Sequence, residues 1–350
     1  MSDVLALARP EIRALRPYMH AAWDPACVRL HANENPWTDE SEGEELRLNR
    51  YPEPQPKALN AALATYCGVS PDRLLACRGS DEAIDLLVRA FCCAGRDRVM
   101  ICPPTFAMYG FAAAVQGAAV DEVPLADDFG LDAEAVLRAW TPDVKIVFLC
   151  SPNNPTGNAL EAGSLQRVLE GLSGRSLVVV DEAYIEFADD PGVVGMVSHP
   201  HLVVVRTLSK AHGLAGARCG AVLAAPEVID LLARIIAPYA LPAPSIAAAL
   251  TALAPKRLTR MHQRVRQLRG ERERLREAFA QLSQVRRIWP SEANFLLVRF
   301  DDAARALGAA LASGLLVRDF SRRPRLEGCL RITVGTPAEN DRLIACLEAA

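Results

Sequence analysis

Leu177-Val178-Val179-Val180-Asp181-Glu182-Ala183-Tyr184 is the stretch on which the reading of this chain turns. Its first four residues are apolar with no polar alternation, the pattern of a strand covered on both faces in a largely parallel sheet. The run stops on a carboxylate. An ionised carboxylate at the end of a buried strand costs several kcal/mol unless a cation or hydrogen-bond donors meet it, so Asp181 requires a partner.

Similar runs flank this one at 98–102, 145–150, 202–206 and 219–224. Helical stretches alternate with them from about 60 to 240, among them 81–92, with Ile84, Leu87, Val88 and Phe91 in helical spacing. Alternating strands and helices predict an α/β layered fold. Residues 1–30 read as a short helix and an extended arm, and 33–56 as a loop long enough to reach a neighbour. After Pro242 the pattern changes. Residues 243–253 read as an Ala-rich helix ended by Pro255, and 256–282 as a long amphipathic helix striped by Leu258, Met261, Val265, Leu268, Leu275, Phe279 and Leu282. Its other face interleaves Arg with Glu, which marks a solvated face rather than a nucleic-acid-binding one. Strand runs at 294–299 and 329–334, with helices near 301–313 and 337–349, predict a smaller C-terminal α/β unit. The expected organisation is a large domain at 31–242 and a small one built from 1–30 and 243–350.

Composition narrows the function classes. A net charge of −3 provides no long-range attraction to nucleic acid or acidic membranes, so an anionic ligand must be held by local donors. No apolar run approaches the roughly 20 residues that span a bilayer, and no basic-then-apolar leader opens the sequence. The ten cysteines include no C-x-x-C pair, which argues against a zinc or dithiol site and for a reduced, cytoplasmic protein. Lysine is rare: only Lys57, Lys145, Lys210 and Lys256.

In open α/β sheets ligands sit beyond the carboxyl ends of the strands, and the unusual residues fall there. Arg78-Gly79-Ser80-Asp81-Glu82 joins a strand to a helix; Gly79 permits a tight turn, Ser80 or Asp81 can cap the helix, and the helix N-terminus attracts an anion. Ser151-Pro152-Asn153-Asn154-Pro155-Thr156-Gly157 is a rigid loop that fixes an asparagine side chain. Arg206-Thr207-Leu208-Ser209-Lys210 ends the run at 202–206 and leads into Gly213, Gly216, Arg218 and Gly220, whose spacing is not that of a dinucleotide fingerprint. Together these loops offer an amine for a carbonyl cofactor (Lys210), a carboxylate for a protonated pyridine nitrogen (Asp181), two neutral donors for a phenolate (Asn154, Tyr184) and a phosphate cradle (Ser80, Ser209, Arg218 and the helix N-terminus). Phe106, in Pro103-Pro104-Thr105-Phe106-Ala107-Met108-Tyr109, is a candidate to stack on the ring. These are the parts pyridoxal 5'-phosphate needs.

The strings resemble those of fold-type I pyridoxal-phosphate aminotransferases, and among them the histidinol-phosphate aminotransferases, over nearly the whole chain. The segments that carry the resemblance are Ala32-Asn33-Glu34-Asn35-Pro36, Arg50-Tyr51-Pro52, the Gly-Ser-Asp-Glu turn, Pro-Pro-Thr-Phe, the Asn-Asn-Pro-Thr-Gly loop, Asp-Glu-Ala-Tyr, Ser-Lys and Gly328-Cys329-Leu330-Arg331-Ile332-Thr333-Val334-Gly335. The resemblance implies transamination between L-histidinol phosphate and 2-oxoglutarate in histidine biosynthesis. Lys210 would carry the cofactor and move the proton, and Tyr51 would reach across a homodimer to the other subunit's cofactor phosphate. Arg331 would grip the glutamate α-carboxylate and, with Arg318, the substrate phosphate, while Tyr18 and Asn33 would line the substrate side. Two residues depart from the pattern: Ser80 stands where the family usually has Ala, and Phe106 where it often has Tyr. Two neighbouring activities remain open, an aromatic amino-acid aminotransferase and a threonine-phosphate decarboxylase-like enzyme. A cofactor-sensing regulator lacks room for a DNA-binding domain, and intact Lys210 and Asp181 argue against a non-catalytic homologue.

Overall fold

A computed structural model describes residues 4–19, 24, 26–38 and 48–350, so parts of the arm read at 1–30 and of the loop read at 33–56 lie outside the described residues. In chain order the elements are α1 (Pro10–Ala14), α2 (Lys57–Cys67), β1 (Leu74–Cys77), α3 (Gly79–Phe91), β2 (Arg98–Ile101), α4 (Met108–Gln116), β3 (Ala119–Glu122), α5 (Ala133–Ala139), β4 (Val144–Cys150), α6 (Ala162–Gly171), β5 (Leu177–Asp181), β6 (Leu202–Thr207), β7 (Gly220–Leu223), α7 (Pro226–Ala233), α8 (Ala243–Leu253), α9 (Pro255–Ala280), β8 (Val285–Ile288), β9 (Phe295–Phe300), α10 (Ala303–Ala312), β10 (Arg318–Asp319), β11 (Cys329–Thr333) and α11 (Pro337–Glu348).

The larger sheet has the order β1-β7-β6-β5-β4-β2-β3. β7 pairs antiparallel with β1 and β6, and every other neighbouring pair is parallel, so β7 alone runs against the rest. Residues alternate between two apolar layers. Val178, Val180, Val204, Val147 and Leu149 face one, while Val179, Val203, Val205, Ile146 and Phe148 face the other. Because both faces are covered, the central strands are apolar through their middles, at Ile146–Cys150, Leu177–Val180 and Leu202–Val205, which is why the opening run shows no alternation.

The smaller sheet, β10-β11-β9-β8, is antiparallel throughout. Leu296, Val298, Leu330 and Ile332 pack on Leu275, Phe279, Leu343 and Leu347. α9 ties the two sheets together: Met261 and Val265 pack with Tyr184, Phe187 and Phe295, and Leu275 and Phe279 join the smaller core. Pro255, read as the end of one helix, opens the next, where its missing N–H leaves nothing unpaired.

Three short strands, β3, β8 and β10, escape a sequence reading because none has an apolar run; their residues are part-exposed or exposed. Val4, Ala8, Ala249 and Leu253, read with the smaller unit, pack on the larger sheet's cores, since α2 and α7 leave apolar faces there for them to cover. Among the described residues no helix is long and apolar enough to cross a membrane.

Candidate active site

Sheet topology brings the sequence-read loops to one edge. β1, β2, β4, β5 and β6 are parallel, so Arg78–Glu82, Pro103–Tyr109, Ser151–Gly157, Glu182–Tyr184 and Leu208–Lys210 all leave the same end of the sheet. β7 runs the other way and therefore begins at that end, which places Arg218 there too. Gly220 pairs with both Cys77 and Thr207 in the ladder. A Cβ on Gly220 would lie 2.6 Å from the Arg206 carbonyl oxygen and 2.9 Å from the Gly79 carbonyl carbon, so only glycine lets these strand ends meet.

One end of the site is an anion cradle. α3 begins at Gly79, earlier than the helix read at 81–92, and neither Ser80 nor Asp81 is its cap. Both lie in the first turn; the Glu82 carboxylate instead accepts from the Arg78 amide at 2.6 Å. The N-cap, Arg78, makes no side-chain capping bond, so the first-turn N–H groups stay free at the edge, where they and the helix dipole favour an anion. Arg218, with φ of 49°, spans the cradle. It donates to Asp81 Oδ2 at 3.1 Å and to Ser209 Oγ at 3.3 Å. A Cβ on Gly79 would come within 2.9 Å of the Arg218 guanidinium, so this glycine, at φ of 78°, opens the space the arginine occupies.

At the other end stands Asp181, 2% exposed. Tyr109 Oη donates to Oδ2 at 2.9 Å and the Ala183 amide to Oδ1 at 3.0 Å. Burial nevertheless dominates and pushes its pKa up to about 6, with the two donors opposing and the nearby acids Asp81 and Glu182 adding to the rise. A carboxylate this costly to ionise is matched to a cationic partner. Tyr109 is itself buried, stacked on Phe148 at 4.8 Å and meeting Phe106 edge-on at 5.7 Å.

The two asparagines of the Ser151–Gly157 loop have different partners. Asn153 is consumed within the protein: it donates to the Pro104 carbonyl and to Thr156, and accepts from Thr105. Asn154 Oδ1 accepts from Arg331, which turns its NH2 group into a donor for something else. Tyr184 packs edge-on to Phe295 at 5.2 Å; burial raises its pKa well above the usual phenol range, so it stays a neutral donor. Lys210 Nζ lies 5.4 Å from the Tyr184 ring centroid. Its pKa is lowered, first by desolvation and then by Arg331, with Asp81 and Asp181 opposing and Arg218 adding.

Arg331 is the group that crosses from the smaller sheet. It lies over Phe295 and Phe320, and its Nε is buried without a hydrogen-bond partner among the described residues. Arg318 is its direct register partner on β10. Asn33, at φ of 55°, and Tyr18 stay exposed on the N-terminal segment. Tyr51 is half-exposed and stacks on Tyr239 of its own chain at 4.6 Å. Glu34 organises this corner. It accepts from the Tyr51 amide at 2.7 Å and from Arg50 at 3.0 Å, and lies 3.2 Å from Arg29.

A sequence reading missed Tyr109 and Glu34 as organising residues. Tyr109 stands three positions after Phe106 in a string already singled out, and the demand of Asp181 for a donor was the signal that could have found it. The residues present fit pyridoxal phosphate: the cradle offers first-turn amides, Ser209 and Arg218 for a dianion, Asp181 is a buried carboxylate awaiting a cation, and the unpartnered Arg331 Nε points to an anionic substrate.

A family model described as aminotransferase class I and II matches residues 17–347. The histidinol-phosphate aminotransferase of Stenotrophomonas maltophilia (strain R551-3) is 48% identical over 356 residues, covering 100% of this chain and 98% of its own. That of Xanthomonas euvesicatoria pv. vesicatoria (strain 85-10) is 47% identical over 354 residues, covering 99% and 97%. The crystal structure of histidinol-phosphate aminotransferase from Sinorhizobium meliloti in complex with pyridoxal-5'-phosphate superposes with a TM-score of 0.77 at 28% identity, covering 86% of this chain and 82% of that one.

Proposed function

The chain belongs to the class I and II aminotransferases and, within them, to the histidinol-phosphate aminotransferases, and we propose that it transfers an amino group between L-histidinol phosphate and 2-oxoglutarate, with pyridoxal 5'-phosphate as resident cofactor. The observation that carries the substrate assignment is the pairing of Arg318 with Arg331 in register, two guanidiniums on one face where a phosphate or carboxylate would relieve their repulsion.

When bound, pyridoxal phosphate supplies an aldehyde and an electron-withdrawing ring. Arg218, Ser209 and the first-turn amides at Ser80 and Asp81 would hold its phosphate. Asp181 would accept from the pyridine nitrogen and keep that proton in place. The Asn154 NH2 group and Tyr184 Oη would donate to the ring oxygen, and Phe106 would pack against the ring. Lys210, whose amine is more easily deprotonated than an ordinary lysine, would hold the cofactor through its carbonyl carbon and would carry at Nζ the proton removed from the substrate α-carbon. Arg331 grips the glutamate α-carboxylate or, with Arg318, the substrate phosphate; Tyr18 and Asn33 line the approach.

The working unit is proposed to be a homodimer in which the partner subunit's Tyr51 completes the phosphate cradle. Half-exposure of Tyr51 on a segment anchored by Glu34 supports this. Mixing Lys210→Ala and Tyr51→Phe protomers should restore turnover that each lacks alone. The assignment is tested by assaying the cofactor-loaded protein with L-histidinol phosphate and 2-oxoglutarate; turnover of phenylalanine but not histidinol phosphate would move it to the aromatic aminotransferases, and release of carbon dioxide from threonine phosphate to the decarboxylases.

A further inference from the structure

β5 and β6 carry, at their adjacent ends, Asp181 with Tyr184 and Lys210 with Ser209. Asp181 pairs with Val205 in the ladder, so the next residues out, Glu182 and Arg206, become neighbours. Arg206 Nε donates to Glu182 Oε2 at 2.6 Å, and its Nη1 lies 3.9 Å from Glu186. All three side chains are nearly out of solvent, at 12%, 1% and 7% exposure for Arg206, Glu182 and Glu186. The other Glu182 oxygen accepts from the Val193 amide at 2.6 Å, and the Glu182 amide donates to the Val205 carbonyl at 2.9 Å. Tyr66, reaching in from α2, donates to Glu186 Oε1 at 3.2 Å, while Glu186 Oε2 is buried with no partner among the described residues.

A buried ion pair is a poor source of stability. Desolvating both ions offsets their attraction, and an apolar substitute of similar shape is often as stable. What such a cluster does provide is geometry, because the planar guanidinium fixes the direction of each bond it makes. Glu182 directly follows Asp181 and stands two residues before Tyr184; Arg206 stands four residues before Lys210. The Arg206 guanidinium is therefore a link, beyond the ladder itself, between the turn holding the carboxylate and the turn holding the amine.

We propose that Arg206 is a positioning residue: through Glu182 and Glu186 it clamps the turn bearing Asp181 and Tyr184 to the turn bearing Lys210, and balances the charge beside Asp181. The inference rests on the proposed function only in taking those three residues as the working groups. Burial raises the pKa of both glutamates, and the Arg206 charge opposes that rise at each. The charged groups facing Lys210 are Arg331 from β11, Asp81 from α3, Asp181 from β5 and Arg218 ahead of β7, so a change at Glu182 or Arg206 reaches Lys210 by way of Asp181.

The test is a pH titration of the bound cofactor's absorbance in the loaded protein without substrate, followed by steady-state kinetics. Arg206→Met leaves the Glu182 carboxylate uncompensated, which favours protonated forms and moves the titration midpoint up by about 0.5 unit or more. Glu182→Gln removes one negative charge beside Asp181 and moves the midpoint down. A merely structural cluster would loosen in both variants and move both midpoints the same way. Arg206→Lys keeps the charge and returns the midpoint to wild type, but one ammonium does not span both carboxylates, so kcat stays about tenfold low with KM within about twofold. If Arg206→Met does not fold, Glu182→Gln and Arg206→Lys carry the test. Shifts of the same sign, no shift in Glu182→Gln, or a wild-type kcat in Arg206→Lys would overturn the proposal. Because the titration uses no substrate, its failure is separate from failure of the parent protein to turn over histidinol phosphate.

Discussion

Arg318 and Arg331 stand directly opposite each other on β10 and β11, and Arg331 crosses to Asn154, 177 residues away in sequence. Two like charges in register repel, and Arg331 has its pKa lowered by burial first, with Arg318 adding to the fall. An anion between them removes both penalties. Arg331→Gln is expected to raise KM for glutamate and for histidinol phosphate, whereas Arg318→Gln raises only the latter. Each lost charge-assisted hydrogen bond is worth roughly 1.5–3 kcal/mol, or about 10- to 100-fold in KM. Equal effects of Arg318→Gln on both substrates would remove its assignment to the phosphate.

Asp181 makes the cofactor-free protein pH-sensitive. Its pKa is pushed up to about 6 in the folded chain, above the 3.8 of an ordinary aspartate, so the folded state binds the proton more tightly. The stability this contributes is full below about pH 4 and is lost as pH rises through 6. At pH 8 the buried charge is a liability of roughly 2–3 kcal/mol, at 1.4 kcal/mol per unit. Asp181→Asn should therefore stabilise the cofactor-free chain at pH 8, leave it unchanged near pH 4, and weaken cofactor binding. Urea denaturation at the two pH values checks the sign.

Tyr109→Phe removes the hydroxyl that donates to Asp181. That donor holds the carboxyl pKa down, so its loss raises the pKa further and makes the carboxylate a poorer partner for a pyridinium at neutral pH. Cofactor affinity should fall by about tenfold, in line with one hydrogen bond to a charged group, with little change in the fold because the Phe148 stack remains. Equilibrium dialysis of the cofactor measures it; a change under about twofold would leave Tyr109 a packing residue only.

Lys210→Ala should leave the fold and much of the cofactor affinity, since Arg218, Ser209 and the first turn of α3 are untouched. Turnover should drop by roughly 10^4-fold, the upper range for losing a positioned proton carrier. Circular dichroism, cofactor content and the transamination assay together decide it, and wild-type-like turnover would remove Lys210 from the mechanism.

Gly79→Ala forces a side chain into the left-handed region and against the Arg218 guanidinium. The backbone term alone is about 1–2 kcal/mol. Arg218 must shift, so cofactor phosphate affinity should fall more than thermal stability does; the reverse order would make Gly79 a purely structural turn.

Much of the site was legible because each of its central residues follows a strand whose apolar run is a local signal. Asp181, Asn154 and Lys210 could be placed at strand ends without knowing which strands were neighbours. α3 begins two residues before the start its sequence suggests, because its N-cap is Arg78, which makes no side-chain capping bond and so leaves no local signal. β3, β8 and β10 carried no pattern, being short and part-exposed.

The sequence by itself determined the layered α/β fold, the edge of the sheet where chemistry collects and the residue types gathered there, since apolar periodicity and turn residues act over a few positions. Only the tertiary structure decided which groups satisfy one another. Tyr109 meets Asp181 across 72 residues, Asn153 rather than Asn154 is spent on the loop, Arg331 arrives from a different sheet, and Arg206 finds Glu182 because two strands share a register. Buried polar groups must find partners wherever the packed chain brings them, and that choice is made by strand order and register, which no local stretch encodes.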